Sequence, residues 1–263
     1  MGANMAMDAK DIAALRSDAL APAEIEAKAE ILGLNKSQAK PGKAFVLAIM
    51  AGLLIGLGGM FMLLFKSEIS FPFVASQALG AIGFSMGLFL VVCTGAELFT
   101  GNCLMICGKL SEQYSWASML KSWVIVYAGN LLGSLLLVAL LVGANYAAFN
   151  SEAVGNAMIT VAAGKVSQPF GVLLFKGILC NFLVCLAVWV SFAARTITDK
   201  FFAVLMPITA FVACGFEHCV ANMFLLPMGL ATKLLGFAYS GSANIEALNI
   251  GSVATNLAAV TIG

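Results

Sequence analysis

The chain has 263 residues, 61% hydrophobic and 10% charged, with a net charge of +1 and a mean hydropathy of +0.99. Soluble domains carry about 25% charged residues, so this composition excludes an ordinary water-soluble globule and points to an all-α membrane protein. Near-neutral charge without a basic cluster excludes nucleic acid as a partner.

Residues 1–43 form a polar arm that carries Lys10, Arg16, Lys28, Lys36, Lys40 and Lys43. Pro22 can start a helix and Gly33 can end it, with Glu24 and Lys28 at i,i+4 and Ile25, Ala29 and Leu32 sharing a face. A short amphipathic helix against the cytoplasmic side is expected. The first apolar run begins only at Ala44, so no cleavable leader is expected.

From residue 44 to 263 the pattern is that of one transmembrane domain. Ala44–Phe65 is the first span, with Gly52, Gly56, Gly58 and Gly59 as close-packing positions. Phe73–Gly108 is too long for one straight crossing and is interrupted at Thr94–Asn102. Trp116–Gly143 is the third span, Ala144–Pro169 a looser segment with Lys165, and Phe170–Ala194 the fourth span, with Lys176 and Asn181. A fifth runs from Phe201 to Leu235, and a sixth begins at Ala247. Lysine and arginine flank this map ten against three in favour of a cytoplasmic N-terminus, by the positive-inside tendency.

The stretch Phe211–Pro227, FVACGFEHCVANMFLLP, sets Glu217 and His218, the only histidine, in the middle of the fifth apolar run. An ionisable residue at that depth is a functional-site hypothesis by default. Gly215 before it and Pro227 after it predict a broken helix, tolerated only where protein or a cavity surrounds it. The plain alternative is a hydrogen-bonded core histidine. A pattern G-x-E-x4-N occurs twice, as Gly95-Glu97-Asn102 and as Gly215-Glu217-Asn222. Each copy lies in the second span of a three-span half. Three spans per half make the halves inverted, an arrangement that places sites near the bilayer midplane.

The seven cysteines lie in apolar runs without a C-x-x-C pair, so no disulfide framework or zinc site is signalled. Cys214, His218 and Cys219 leave a soft-metal permease as an alternative. Adjacent residues cannot both point inward on a regular helix, however. A haem-binding enzyme subunit would need more than one histidine, so catalysis is not expected, and neither is a cofactor.

GAELFTGN (95–102), FKGILCNFLVCLAVWVSF (175–192) and GFEHCVANMFLLPMG (215–229) resemble the formate/nitrite transporter family, and the similarity runs from about Gly42 onward. The resemblance implies a six-span aquaporin-like bundle of two inverted three-helix repeats with interrupted second and fifth helices. It further implies a homopentamer in the inner (plasma) membrane, with one pore per protomer for formate, nitrite, hydrosulfide or similar monovalent anions. By position, Thr100 and His218 would face each other in the pore, with Asn181 beside them and Lys165 as a vestibule lure for anions. Leu88, Phe99, Val184 and Phe211 would form two constrictions. FTGN leans towards nitrite- and hydrosulfide-type members. Glu97 and Glu217 are expected to accept backbone N–H groups freed at the breaks, and Lys176 to snorkel. The family's last helix continues beyond the position of Gly263 and carries a further pore-facing asparagine there.

Overall fold

The computed structural model describes residues 19–263; Lys10 and Arg16 lie outside them. Among the described residues the fold is all-helical. Helix α1 (Pro22–Ser37) starts on Pro22 at its first position, with Glu24 Oε2 accepting from Ala21 N at 2.8 Å. Gly33 does not end it. The helix runs one turn further, because Gly33 is a packing position: a Cβ there would stand 2.7 Å from Tyr114 Oη. Ile25, Ala29 and Gly33 form the buried face, and Lys28 reaches the Phe192 carbonyl at 2.7 Å.

Among the described residues, helices α2 (Pro41–Lys66), α3 (Phe73–Thr94), α5 (Trp116–Gly143) and α7 (Phe170–Ala193) are the four long and apolar enough to cross a membrane. Glycines set how closely they meet. A Cβ at Gly52 would lie 2.1 Å from the Asn130 carbonyl, one at Gly133 2.0 Å from that of Ile49, and one at Gly58 2.6 Å from that of Phe84. In an apolar surround, where burial of oil against oil gains little, backbone-to-backbone approach supplies the dispersion contacts that join helices. Thus α2 is sandwiched between α3 and α5.

Each of the expected long runs is interrupted. Helix α3 stops at Thr94 and the chain resumes as a 3₁₀ turn (Gly101–Leu104) and α4 (Met105–Leu110). Helix α8 (Ile197–Ala213), capped by Thr196 with Asp199, stops before Gly215, and α9 (Cys219–Leu234) begins after it. Pro227 does not contribute to that break; it sits inside continuous α9, most of whose residues from Cys219 to Gly229 are buried among α2, α5 and α6. The looser segment Ala144–Pro169 is largely ordered as α6 (Ala153–Val166), which α9 approaches through Gly229, where a Cβ would be 2.3 Å from Ala162 Cβ. Helix α10 (Ile250–Ile262), capped by Asn249, packs on α7 and α9. Helix α7 keeps an apolar outer face, with Phe175, Phe182 and Val190 exposed.

Gly133→Leu is expected to lower the thermal midpoint of the purified protein and its yield as an assembled species on size-exclusion chromatography. Overpacking costs about 1–3 kcal/mol or more, and here the obstacle is backbone. Gly143→Ala, with nothing within 4 Å of the new Cβ, is expected to leave both unchanged.

Candidate functional site

The two breaks are built alike. Gly95 and Gly215 each have φ of 71°, the left-handed region in which a Cβ-bearing residue is strained. The next amide folds back on its own helix: Ala96 N donates to the Val91 carbonyl (3.2 Å) and Phe216 N to that of Phe211 (3.0 Å). The glutamate amides cross to a neighbouring helix, Glu97 N to the Leu47 carbonyl (3.2 Å) and Glu217 N to that of Lys176 (3.3 Å). Spacing in the G-x-E-x4-N motif then lets the asparagine turn back onto the glutamate. Asn102 Nδ2 donates to Glu97 Oε2 at 2.9 Å and Asn222 Nδ2 to Glu217 Oε2 at 2.8 Å.

Each carboxylate also holds a lysine. Lys36 of α1 donates to Glu97 at 2.6 Å, and Lys165 at the end of α6 donates to Glu217 at 2.8 Å. The glutamates therefore take side-chain donors rather than the freed backbone N–H groups expected from sequence. Those freed groups are served by other residues. Buried Asn130 of α5 accepts from Phe99 N (2.9 Å) and donates to the carbonyls of Glu97 and Ala48 (both 2.8 Å). His218 is the cap of α9, its Nδ1 accepting from Ala221 N at 3.0 Å. In the second half Asn256 of α10 accepts from Asn222 Nδ2 (2.8 Å) and donates to the Lys165 carbonyl (3.2 Å).

The breaks touch at one polar contact, 3.1 Å between Thr100 Oγ1 and His218 Nε2, with both residues 4% exposed. Because Nδ1 accepts from a backbone N–H, a neutral His218 carries its proton on Nε2 and donates there. Apolar rings enclose the contact. Phe211 stacks on His218 with centroids 5.7 Å apart and planes at 18°, and Phe84 meets both edge-on at 5.8 and 6.5 Å.

On either side of this contact lies a cavity. One, of about 910 Å³, is bordered by α1 and lined by Leu88, Val91 and Leu98. Its charged lining is Lys28, Lys36, Lys40, Lys43, Arg195 and Lys200 against Glu97. The other, of about 270 Å³, is lined by His218, Phe84 and Phe211, with Lys66, Lys165 and Lys176 against Glu217. Phe84 faces the second cavity and Leu88 the first, so the two are separated along α3 by one helical turn, about 6 Å.

Other sequence expectations fall less simply. Phe99 lines neither cavity; it packs edge-on against Trp123 and Tyr127 at 6.0 and 5.1 Å, and its neighbour Leu98 is the one on the cavity wall. Val184 is fully buried in the core and also lines neither. Asn181 lies beside the site rather than in a cavity: Cys185 Sγ is 3.9 Å from Asn181 Oδ1 and 3.7 Å from the Thr100 carbonyl. Lys176 does not snorkel outward. Its Nζ donates to Gln168 Oε1 at 2.6 Å on the second cavity's wall. Lys165 is no free charge, being paired with Glu217. Cys214 is exposed and Cys219 buried, and among the described residues no three His, Cys, Asp or Glu side chains gather to hold a metal. Sequence reasoning missed Phe84, Leu98, Lys36, Lys66, Gln77 and Gln168.

The formate/nitrite transporter family model matches residues 23–263. The formate channel FocA of Escherichia coli K12 is 37% identical over 257 residues, covering 94% of this chain and 89% of that one. The formate channel FocB of the same strain is 31% identical over 243 residues, covering 89% and 86%. Among solved structures, a pentameric formate channel with formate bound superimposes with a TM-score of 0.76 at 35% identity, covering 84% of this chain and 90% of that one. An ion channel of the same family gives 0.78 at 28%, covering 91% and 92%. With a family model spanning nearly all described residues, helices fit to cross a membrane and relatives that are channels rather than enzymes, this chain is a membrane transport protein and belongs to the formate/nitrite transporter family.

Proposed function

We propose that the protein is a channel for small monovalent anions, formate, nitrite or hydrosulfide, that cross the constriction at Thr100 and His218 within each protomer. The observation that carries this reading is the 3.1 Å contact between the two breaks, set in apolar rings between two lysine-lined cavities. The relatives named as formate channels support the substrate class. Alike geometry at Gly95 and Gly215 supports two inverted three-helix halves, with α8 and α9 together making the fifth of six spans. Likeness to a pentameric channel supports a homopentamer, and the charge bias of the loops supports a cytoplasmic N-terminus in the inner membrane.

Magnitudes choose the mechanism. The idealised Born cost of taking a small bare ion into a dry interior is on the order of 20 kcal/mol. Protonating an acid of pKa near 4 at pH 7 costs roughly 4 kcal/mol. The apolar turn between Phe84 and Leu88 therefore favours the neutral acid, while the lysines of both cavities gather its anion. His218 assists from one nitrogen only. Nδ1 is occupied by the cap of α9, so a proton that enters at one ring nitrogen and leaves at the other would cost that helix its cap. Nε2–H serves as a hydrogen-bond donor to the passing ligand, while water supplies the proton.

Flux into liposomes, compared for formate, nitrite, hydrosulfide and Cu(I), tests the class directly. Passage of copper but no anion would overturn it. His218→Phe is expected to cut anion flux by tenfold or more with the oligomer intact on size-exclusion chromatography; unaltered flux of every anion would remove His218 from the path.

Acid dependence tests the permeating species. At fixed total formate, the neutral acid's concentration rises about tenfold for each pH unit between 7.5 and 5.5. Formate uptake is expected to rise with it until saturation, whereas a flat profile would mean the bare ion crosses.

A further inference from the structure

The smaller cavity contains three lysines but only one carboxylate. Lys165 and Glu217 are already a pair at 2.8 Å, and Glu217 takes further donors from Asn222 at 2.8 Å and Gln168 at 3.4 Å. Together they add no net charge to the wall. Lys66, at the end of α2, and Lys176, in α7, differ from Lys165. Among the described residues neither is in an ion pair. Each is instead held by a neutral amide oxygen, Lys66 by Gln77 and Lys176 by Gln168.

An amide fixes where an ammonium sits without cancelling its charge. An ammonium has three N–H donors and one here is used, leaving two on each lysine. Two uncompensated cations on the wall of one half-buried cavity are a repulsive arrangement that an anion relieves. We infer that Lys66 and Lys176, positioned by Gln77 and Gln168, form an anion-docking site for a small two-oxygen anion, a short carboxylate or nitrite. One oxygen can accept from each ammonium, whereas hydrosulfide offers a single sulfur centre that accepts N–H hydrogen bonds more weakly. A cavity of about 270 Å³ has room for such an ion with a few waters and excludes a nucleotide. This inference rests on the channel reading for its purpose, because docking there would load formate or nitrite ahead of the constriction. It makes Lys66 and Lys176 specificity-determining, a role separate from that of the paired Lys165.

The experiment is carried out on the detergent-solubilised oligomer and on the same protein in liposomes. Binding of ¹³C-formate is read by NMR line broadening, and half-saturating concentrations for formate, nitrite and hydrosulfide are read from flux. Lys66→Gln, Lys176→Gln and the double variant are expected to weaken formate and nitrite by severalfold singly and by tenfold or more together. Hydrosulfide is expected to change less than threefold, and Lys66→Arg and Lys176→Arg to stay near wild type. If the double variant does not assemble, the single variants decide. Unchanged formate binding in the glutamine variants, or an equal weakening for hydrosulfide, would overturn the docking site. Wild-type protein that binds ¹³C-formate but passes no anion would instead overturn the channel reading and leave the site standing.

Discussion

Backbone polarity in an apolar surround is the constraint on which the rest of this molecule depends. A helix satisfies its own amides; a helix broken inside the protein does not, and each orphaned group costs about 1–3 kcal/mol when no water can reach it. The chain is broken twice, at Gly95 and Gly215, and protein groups take up amides beside both breaks: Leu47, Lys176 and Asn130 serve the approaches, and His218 caps helix α9 beyond the second break. The glutamates are anchored in turn by Lys36 and Lys165. A buried ion pair contributes little net stability, but loss of one partner leaves a charge stranded, at about 3–5 kcal/mol. With Glu217 3% exposed, Lys165 is chiefly what makes that glutamate tolerable. Its attraction for anions in the cavity is correspondingly reduced.

The same economy appears at His218. One ring nitrogen caps helix α9 and the other meets Thr100, so the cap fixes the imidazole's tautomer and orientation. Metal-site histidines are oriented by a comparable division of their two nitrogens. Phe211 stacked against the ring and Phe84 at its edge surround the contact with apolar groups, a low-polarity setting in which a hydrogen bond is stronger.

What could be read in the sequence was whatever is local. The motif G-x-E-x4-N specifies a left-handed glycine and an asparagine within reach of a glutamate, and both copies have that geometry; the apolar runs mark the long helices with small errors at their ends. Tertiary facts were not legible. Nothing in Lys165 or Lys176 alone says that the first finds Glu217 and the second Gln168. Gly33 and Pro227 are helix-stopping residues by propensity, but packing against Tyr114 and the burial of Pro227's neighbours in α9 override them. The choice between Leu98 and Phe99 as the cavity residue was lost because irregular backbone has no period from which to tell inward from outward. Helix α6 was hidden for another reason: its small residues, among them Gly155, Ala157 and Ala162, suit close approach to α9 but dilute the hydropathy.

Likeness of the two breaks sharpens the point at which they differ. Counting from each glutamate, the next residue is Leu98 in one and His218 in the other, and the third residue is Thr100 in one and buried Val220 in the other. Leu98 faces the larger cavity and His218 the smaller. The scaffold of glycine, glutamate, asparagine and lysine is shared, while the side chains at the centre are not. A symmetric pair of hydroxyls would offer the same contact from either side. Thr100 against His218 instead puts the imidazole on the wall of one cavity alone, so the two cavities approach the contact with different chemistry. From the larger cavity the last surface met is Leu98 and Leu88; from the smaller it is the imidazole itself.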